Sequence, residues 1–420
     1  MNIYKNNISL IYFLLYLSML AGYYLNEDFA GGTIVDYLVH IRAANLMEQD
    51  IMGTFLKYDD LRGEGIGGAI PHSPIYILYF MFMQNFFGDT MSRLINMHLI
   101  LLIPYFSYLS LKLKFSLNKN DLRNLLPIIF FISPYFRSGA FWIDDNVIGL
   151  TFLTISFYFY LRIENYKNKS LNLIFLHVLF LALAAYFRPI YSIFGIYFFL
   201  SFYSQLHFKS KFFYYIFFNI ILCAPAFYFV FILGQNEWFQ PWFFRTNNTT
   251  IFSLALSVIF FYSIPFIFCN LNKVMSIIID KKMIFLSILY LIVLLLNFSF
   301  KMPYAGGIFY KTSNLIFSNN YFFYFISFLS FYFFLLIFKN FTVKKYLFLD
   351  LTLLILLILL EMDGMIYHEA FDPLFYILSF LLIKNKFYYE TIKKISFKKL
   401  NYFYLFSLLF FIASIAKSQI

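Results

Sequence analysis

A chain of 420 residues that is 62% hydrophobic and 13% charged is excluded from the soluble globular class, whose charged fraction runs near 25%. Its formal net charge of +11 does not indicate a nucleic-acid partner, because the basic residues are scattered between apolar runs, as the positive-inside rule of membrane proteins describes. The runs are long and continuous rather than alternating, which excludes a transmembrane β-barrel and leaves membrane-spanning helices of about 20 residues.

The fold class is therefore an all-α polytopic membrane protein. The first run, from Ser9 to Leu25, lacks a small-residue cleavage site and is followed by many similar runs, so it reads as the first transmembrane helix rather than a signal peptide. Apolar segments begin near residues 8, 73, 94, 125, 147, 171, 189, 212, 251, 284, 321, 346, 371 and 400. The connections alternate in character. LKLKFSLNKNDLR, RIENYKNKS, HFKSK, NKVMSIIIDKK, KNFTVKK and KNKFYYETIKKISFKK are basic and belong in the cytoplasm. RSGAFWIDDN, GQNEWFQPWFFRTNNTT, KMPYAGGIFYKTSNLIFSNN and EMDGMIYHEAFD are polar, aromatic or acidic and face outward. This assignment puts 22 of the 32 Lys and Arg inside and 16 of the 21 Asp and Glu outside. Acidic residues do little to set topology, so their outward bias points to a site on the outer face.

Counting crossings back from the cytoplasmic loop at Lys112 to Arg123 leaves one segment too many. The run HSPIYILYFMFMQNFFG, interrupted by Gln84 and Asn85, is the one expected not to cross, and residues 74–88 read as an interfacial or re-entrant helix. About thirteen spanning helices remain, in one integral membrane domain over residues 1–420, with the N-terminus inside and the C-terminus outside. No internal repeat, low-complexity linker or soluble terminal domain is evident.

The longest polar interruption is the first extracytoplasmic loop, residues 26–73, which holds eight of the 21 acidic residues. It contains a helical piece, Val35 to Gln49, with Asp36 near its start. Asp36 reads either as a helix-start acid complementing the dipole or as a general base or substrate anchor. The glycine-rich RGEGIGGAIPHSP follows no strand and lacks the phosphate-loop pattern, so it is expected to be flexible chain over a substrate. Asp144 and Asp145 lie at the outer membrane surface, where charge must be paired or solvated. They suit a divalent cation, Mg or Mn, or a positively charged substrate; the structural alternative is that they pair with Arg137 and cap the helix starting near Asn146.

Arg188, at a proline break, is placed to hold a phosphate bidentately, and Lys311 to do so as a point charge. His368 and Glu369 are brought to the outer end of a helix but are adjacent rather than at metal-ligand spacing, which argues against zinc. Cys223 and Cys269 sit in apolar runs and are expected to be buried and inert.

The order of these features resembles the N-terminal half of the GT-C glycosyltransferase superfamily, in particular aminoarabinose transferases and protein O-mannosyltransferases. The likeness is carried by Asp36 and its helix, by His72-Ser73-Pro74-Ile75-Tyr76-Ile77-Leu78 with Phe87-Gly88 and Arg93 beyond, by Ser133-Pro134-Tyr135 leading to Asp144-Asp145, by Arg188-Pro189, and by Phe371-Asp372-Pro373-Leu374. It covers roughly residues 30 to 200 and a short C-terminal patch. What the resemblance implies is transfer of a sugar from a polyprenyl-phosphate donor to a glycan, lipid or protein acceptor of the cell envelope, at the outer face of a bacterial inner membrane. Asp36 would be the base or the carboxylate that orients the acceptor, Asp144 or Asp145 its second-loop partner, and Arg188 a candidate ligand of the lipid phosphate. Beside these, His72, Arg137, Lys311, His368 and Glu369 are the further residues expected to bind substrate. His72-Ser73, the doubled acid and the absence of a large C-terminal soluble domain depart from the pattern; the last argues against an asparagine-linked oligosaccharyltransferase. A surface polysaccharide polymerase or a lipid-linked glycan flippase are the competing readings. The polymerase typically carries its large polar loop late, and the flippase shows internal repeats.

Overall fold

The computed structural model describes residues 8–58, 73–165, 170–206, 210–235, 248–275, 280–302, 305–360 and 366–418. Every regular element among them is helical. Six stretches are long and apolar enough to cross a membrane, Pro74–Phe115, Asp145–Asn165, Ser210–Ile232, Asn248–Cys269, Tyr321–Phe341 and Phe397–Lys417, and shorter apolar helices accompany them. The chain is an integral membrane protein. The expected segment starts fall within three residues of an observed helix start, except the one near residue 94, which lies inside a longer helix.

The residues group into two compact units, Met1–Gln240 with Ser407–Ile420, and Pro241–Phe406. In the first, α1 (Ile8–Tyr24) is followed by α2 (Thr33–Gln49) and the short α3 (Ile51–Leu56), both between the first two apolar segments. Then come α4 (Pro74–Ile100), α5 (Leu102–Phe115), a 3-10 segment (Leu122–Ile132), α6 (Pro134–Phe141), α7 (Asp145–Asn165) and α8 (Leu171–Phe187). A 3-10 turn (Pro189–Ile193), α9 (Phe194–Leu206) and α10 (Ser210–Phe227), which ends in a π-helical turn, complete it. The glycine-rich stretch after α3, with His72, lies outside the described residues.

Two Ser-Pro pairs start helices for the same reason. Ser73 accepts from the Ile75 amide at 3.3 Å and Ser133 from the Phe136 amide at 3.0 Å, while the prolines occupy first-turn positions that need no amide donor. Within α4 the helical backbone is interrupted at Gly88 (φ 70°, ψ 173°), a conformation that glycine adopts without steric cost. The Ser92 hydroxyl lies 2.6 Å from both the Met83 and the Gly88 carbonyl, so its one proton is shared between groups at the break. The 14 residues before the break span about 21 Å as helix, too short for a 30 Å hydrocarbon core.

A buried ion pair braces α1 against α6. Arg137 donates from Nε and Nη2 to the two carboxylate oxygens of Glu27, both at 2.6 Å. It also reaches the Ser18 hydroxyl (2.9 Å) and the Phe131 carbonyl (3.2 Å). Glu27 is 6% and Arg137 5% exposed. Gly22 makes room for the pair, since a Cβ there would stand 2.5 Å from Glu27 Oε2 and 2.6 Å from Arg137 Nη2. Arg137, expected beside substrate or against Asp144 and Asp145, is instead committed to Glu27.

The second unit is arranged around α11 (Asn248–Cys269), which packs against α13 (Lys281–Asn297), α14 (Gly307–Phe317), α15 (Tyr321–Phe341) and α16 (Leu347–Leu359). The short α12 (Leu271–Met275) lies between α11 and α13; α17 (Leu374–Leu381), the amphipathic α18 (Lys386–Lys393) and the start of α19 (Phe397–Ser418) follow, and the last turns of α19 belong to the first unit.

Removing one partner of a buried pair leaves the other charge uncompensated, which costs about 3–5 kcal/mol. Glu27→Ala is therefore expected to lower the thermal midpoint of the protein in detergent by far more than the volume-matched double replacement Glu27→Gln/Arg137→Met. Equal midpoints for the two variants would show that the pair is no brace.

Candidate active site

The chain from Trp142 to Asn146 leads from α6 into the first turn of α7, and four of its five residues are gripped by other parts of the first unit. Trp142 donates its indole N–H to the Glu27 carbonyl at 3.0 Å and lies 3.7 Å under the Arg93 guanidinium. Arg93 in turn donates to the Phe141 carbonyl (2.8 Å) and to Asn26 Oδ1 (2.9 Å). Ile143 has φ 50°, a left-handed conformation, and its carbonyl accepts from the Tyr76 hydroxyl at 2.5 Å. Asp144 caps α7 by accepting from the Asn146 amide at 2.9 Å. Asp145, 1% exposed, pairs with Arg188 at 3.2 Å. Asn146 Oδ1 accepts from the Tyr191 hydroxyl at 2.5 Å.

The two adjacent aspartates thus have different environments. The structural alternative for them is half met: Asp144 caps the helix, but the cation facing this pair is Arg188, not Arg137. Arg188 sits between α8 and the Pro189–Ile193 turn, partly exposed, with Asp145 almost wholly buried. Its approach to α7 depends on Gly149, one turn beyond Asp145 on the same face. A Cβ at Gly149 would lie 2.9 Å from Arg188 Cβ and 3.1 Å from the Tyr191 ring.

Asp36 lies exposed in the first turn of α2. One turn on, His40 is buried and its Nδ1 is 2.8 Å from the Tyr76 hydroxyl. Tyr76 thus bridges the two segments that carry the carboxylates: His40 lies one turn after Asp36 on α2, and the Ile143 carbonyl that Tyr76 bonds directly precedes Asp144 and the Arg188-paired Asp145. The outer side of α2 is fixed by Tyr37, which donates to Asp89 and accepts from Gln84 Nε2 at 2.8 Å. Burial, and after it the bond to Asp89, hold the Tyr37 phenol above its ordinary pKa.

Beside this cluster lies an apolar cavity of about 500 Å³, with Phe55 of α3, Pro74, Ile75, Tyr186, Pro189 and Phe229 among its lining. Pro189 directly follows Arg188, and Pro74 is two residues before Tyr76, so the cavity adjoins the charged cluster. Its size is within the range of small-molecule sites, about 300–1,000 Å³. Cys223 also lines it and is exposed, contrary to the expectation of a buried thiol; Cys269 is half-buried.

The remaining expected residues belong to the second unit. The His368 ring is within hydrogen-bond distance of the Tyr262 hydroxyl (3.0 Å) and accepts from the Ile308 amide (2.8 Å), which ties α11 and α14 to the 3-10 turn His368–Ala370. Glu369 and Lys311 are partly exposed in that unit. Among the described residues no group of three or more His, Cys, Asp or Glu is placed to hold a metal. Asp144 and Asp145 fit Mg or Mn poorly, because a guanidinium already stands against the Asp145 carboxylate.

Comparison with protein families, curated proteins and solved structures finds no match for this chain. Sequence reasoning passed over His40, Tyr76 and Glu27. The first had a signal, its i+4 spacing from Asp36; the other two act through partners 67 and 110 positions away.

A methyl at Gly149 improves helix propensity by about 0.8–1.0 kcal/mol but overpacks against Arg188 Cβ, which costs about 1–3 kcal/mol. The clash is at the rigid root of the side chain, so the cost prevails. Gly149→Ala is expected to lower the thermal midpoint in detergent and Gly149→Val to lower it further; an unchanged or raised midpoint would mean that the Arg188 turn does not rest on α7.

Proposed function

We propose that this protein is a membrane glycosyltransferase of GT-C type that moves a sugar from a polyprenyl-phosphate donor to a glycan, lipid or protein acceptor of the cell envelope. The observation that carries the reading is the Asp145–Arg188 pair beside an apolar cavity, its turn joined through Tyr76 and His40 to the helix that carries Asp36. Such a donor is already activated. The reaction needs a carboxylate to take the acceptor's proton and a cation to stabilise the departing phosphate.

In this reading the acceptor hydroxyl oxygen attacks the anomeric carbon, and the bond from that carbon to the phosphate oxygen breaks. Asp36 accepts the hydroxyl proton, and polyprenyl phosphate leaves with the bonding electrons. Arg188 is the phosphate ligand. Asp145 holds the guanidinium in place, and Asp144 stabilises the turn. The cavity lined by Pro189, Ile75 and Phe229 receives the first isoprene units of the donor. The cluster is taken to lie on the outer face of a bacterial inner membrane, and what supports that side is the outward bias of acidic residues in the loop assignment.

The test is transfer of radiolabelled sugar from a panel of polyprenyl-phosphate sugars to an envelope-lipid fraction by the purified protein in detergent. Asp36→Asn is expected to lose on the order of 10²-fold or more in kcat, the scale of general-base loss. Arg188→Ala should weaken donor use most, and Asp145→Asn should follow it in direction. Transfer that survives Asp36→Asn would displace the base assignment. Lipid-linked glycan moved across vesicles without sugar transfer would favour a flippase, and growth of repeat-unit chains a polymerase.

A further inference from the structure

One residue of the α6–α7 turn has a backbone that its own chemistry disfavours. Ile143 is β-branched and its side chain is fully buried, yet its φ is 50°. A β-branched residue at positive φ is an outlier that persists only where surrounding contacts hold it, and such positions cluster at functional sites. Here the holding contact is identifiable. The Tyr76 hydroxyl donates to the Ile143 carbonyl at 2.5 Å, and His40 Nδ1 is 2.8 Å from the same hydroxyl. A phenol has one proton. Since it is given to the carbonyl, the imidazole must be the donor in the second bond, which assigns the Nδ1–H tautomer to His40.

The result is a buried relay, His40 Nδ1–H to Tyr76 O–H to Ile143 carbonyl, that crosses three segments. His40 and Tyr76 are 1% and 0% exposed, and the two rings pack edge to face at 4.9 Å. At one end of the relay stands Asp36, four residues before His40 and so on the same helix face. At the other end stand Asp144 and Asp145, directly after the held carbonyl.

We infer that His40 and Tyr76 are positioning residues, a hydrogen-bonded clamp that holds the Ile143 turn in its left-handed form and so sets the spacing between the first-loop carboxylate and the Asp144–Asp145 pair. This rests on the proposed reading of those carboxylates. His40 exchanges no proton in the reaction; it is a fixed donor.

The experiment compares Tyr76→Phe, His40→Leu and His40→Asn in the sugar-transfer assay, and by fluorescence in a background whose only tryptophan is Trp142 (Trp238→Phe, Trp242→Phe). Phenylalanine keeps the ring packing and removes only the hydroxyl. An asparagine amide nitrogen falls close to the place of Nδ1 and can donate. Tyr76→Phe and His40→Leu are expected to lower kcat by roughly 10- to 100-fold, the scale of a small misplacement of reacting groups. The donor KM should change by a smaller factor than kcat, because Arg188 itself and the cavity lining keep their side chains. Both variants should shift the Trp142 emission maximum. His40→Asn should recover most of the rate lost in His40→Leu and restore the emission.

If His40→Asn falls as far as His40→Leu, His40 acts as more than a fixed donor and the inference is overturned. It is also overturned if rate falls with no change in emission, since Tyr76 would then act directly, or if emission shifts with no change in rate. An inactive parent protein would defeat the glycosyl-transfer reading instead, and the emission of the three variants would still decide whether the clamp exists.

Discussion

The turn from Trp142 to Asn146 is where the first unit is held together, and its restraint is mainly hydrogen bonding to backbone carbonyls and side-chain oxygens in a low-dielectric interior. Four of its five residues, Trp142, Ile143, Asp145 and Asn146, are fixed by Glu27, Arg93, Tyr76, Arg188 and Tyr191. These partners come from the chain after α1, from both ends of α4 and from the segment after α8. An unmade bond at such depth leaves a group desolvated at a cost of about 1–3 kcal/mol, so the contacts support one another. The turn can adopt an unfavourable backbone at Ile143 because four neighbours are already in place.

Two buried carboxylates of the first unit, Glu27 and Asp145, are paired with arginines. Glu27 with Arg137 and Asp145 with Arg188 are two ion pairs of the first unit that differ in solvent access. The first is closed on both sides, 6% and 5% exposed, and the second is closed on the carboxylate and open on the guanidinium, 2% against 24% in the side chains. A closed pair holds helices together. A pair with an accessible cation can exchange its counter-ion for a ligand phosphate, and this asymmetry separates the arginine assigned to chemistry from the one assigned to structure.

Glycine placement follows the same logic. Gly22 admits the closed pair, and Gly149 admits Arg188 to the face of α7. Gly88 breaks α4 so that its first part, which carries Tyr76, leaves the direction of the remainder. Each is a place where a side chain would separate elements that the cluster needs close together.

Much of this was legible from the residues alone, and the reason is the solvent. Lipid demands about 20 apolar residues per crossing and a satisfied backbone within each segment, so helix starts can be read from hydropathy to within a few residues, and Ser-Pro pairs mark two of them by local capping chemistry. The acids at 36, 144 and 145 and the arginine at 188 stand out because charge is rare in such a chain. What local sequence could not decide is which arginine meets which acid. Arg137 lies closer in the chain to Asp144 but bonds Glu27, 110 residues away, because helix packing brings α1 against α6. Tyr76 lies within the His72–Leu78 motif, but the motif gives it no role of its own, and it is one of 36 tyrosines. Only the tertiary structure sets it between His40 and Ile143, since hydrogen bonds across 36 and 67 residues depend on where helices pack, and no local pattern records that.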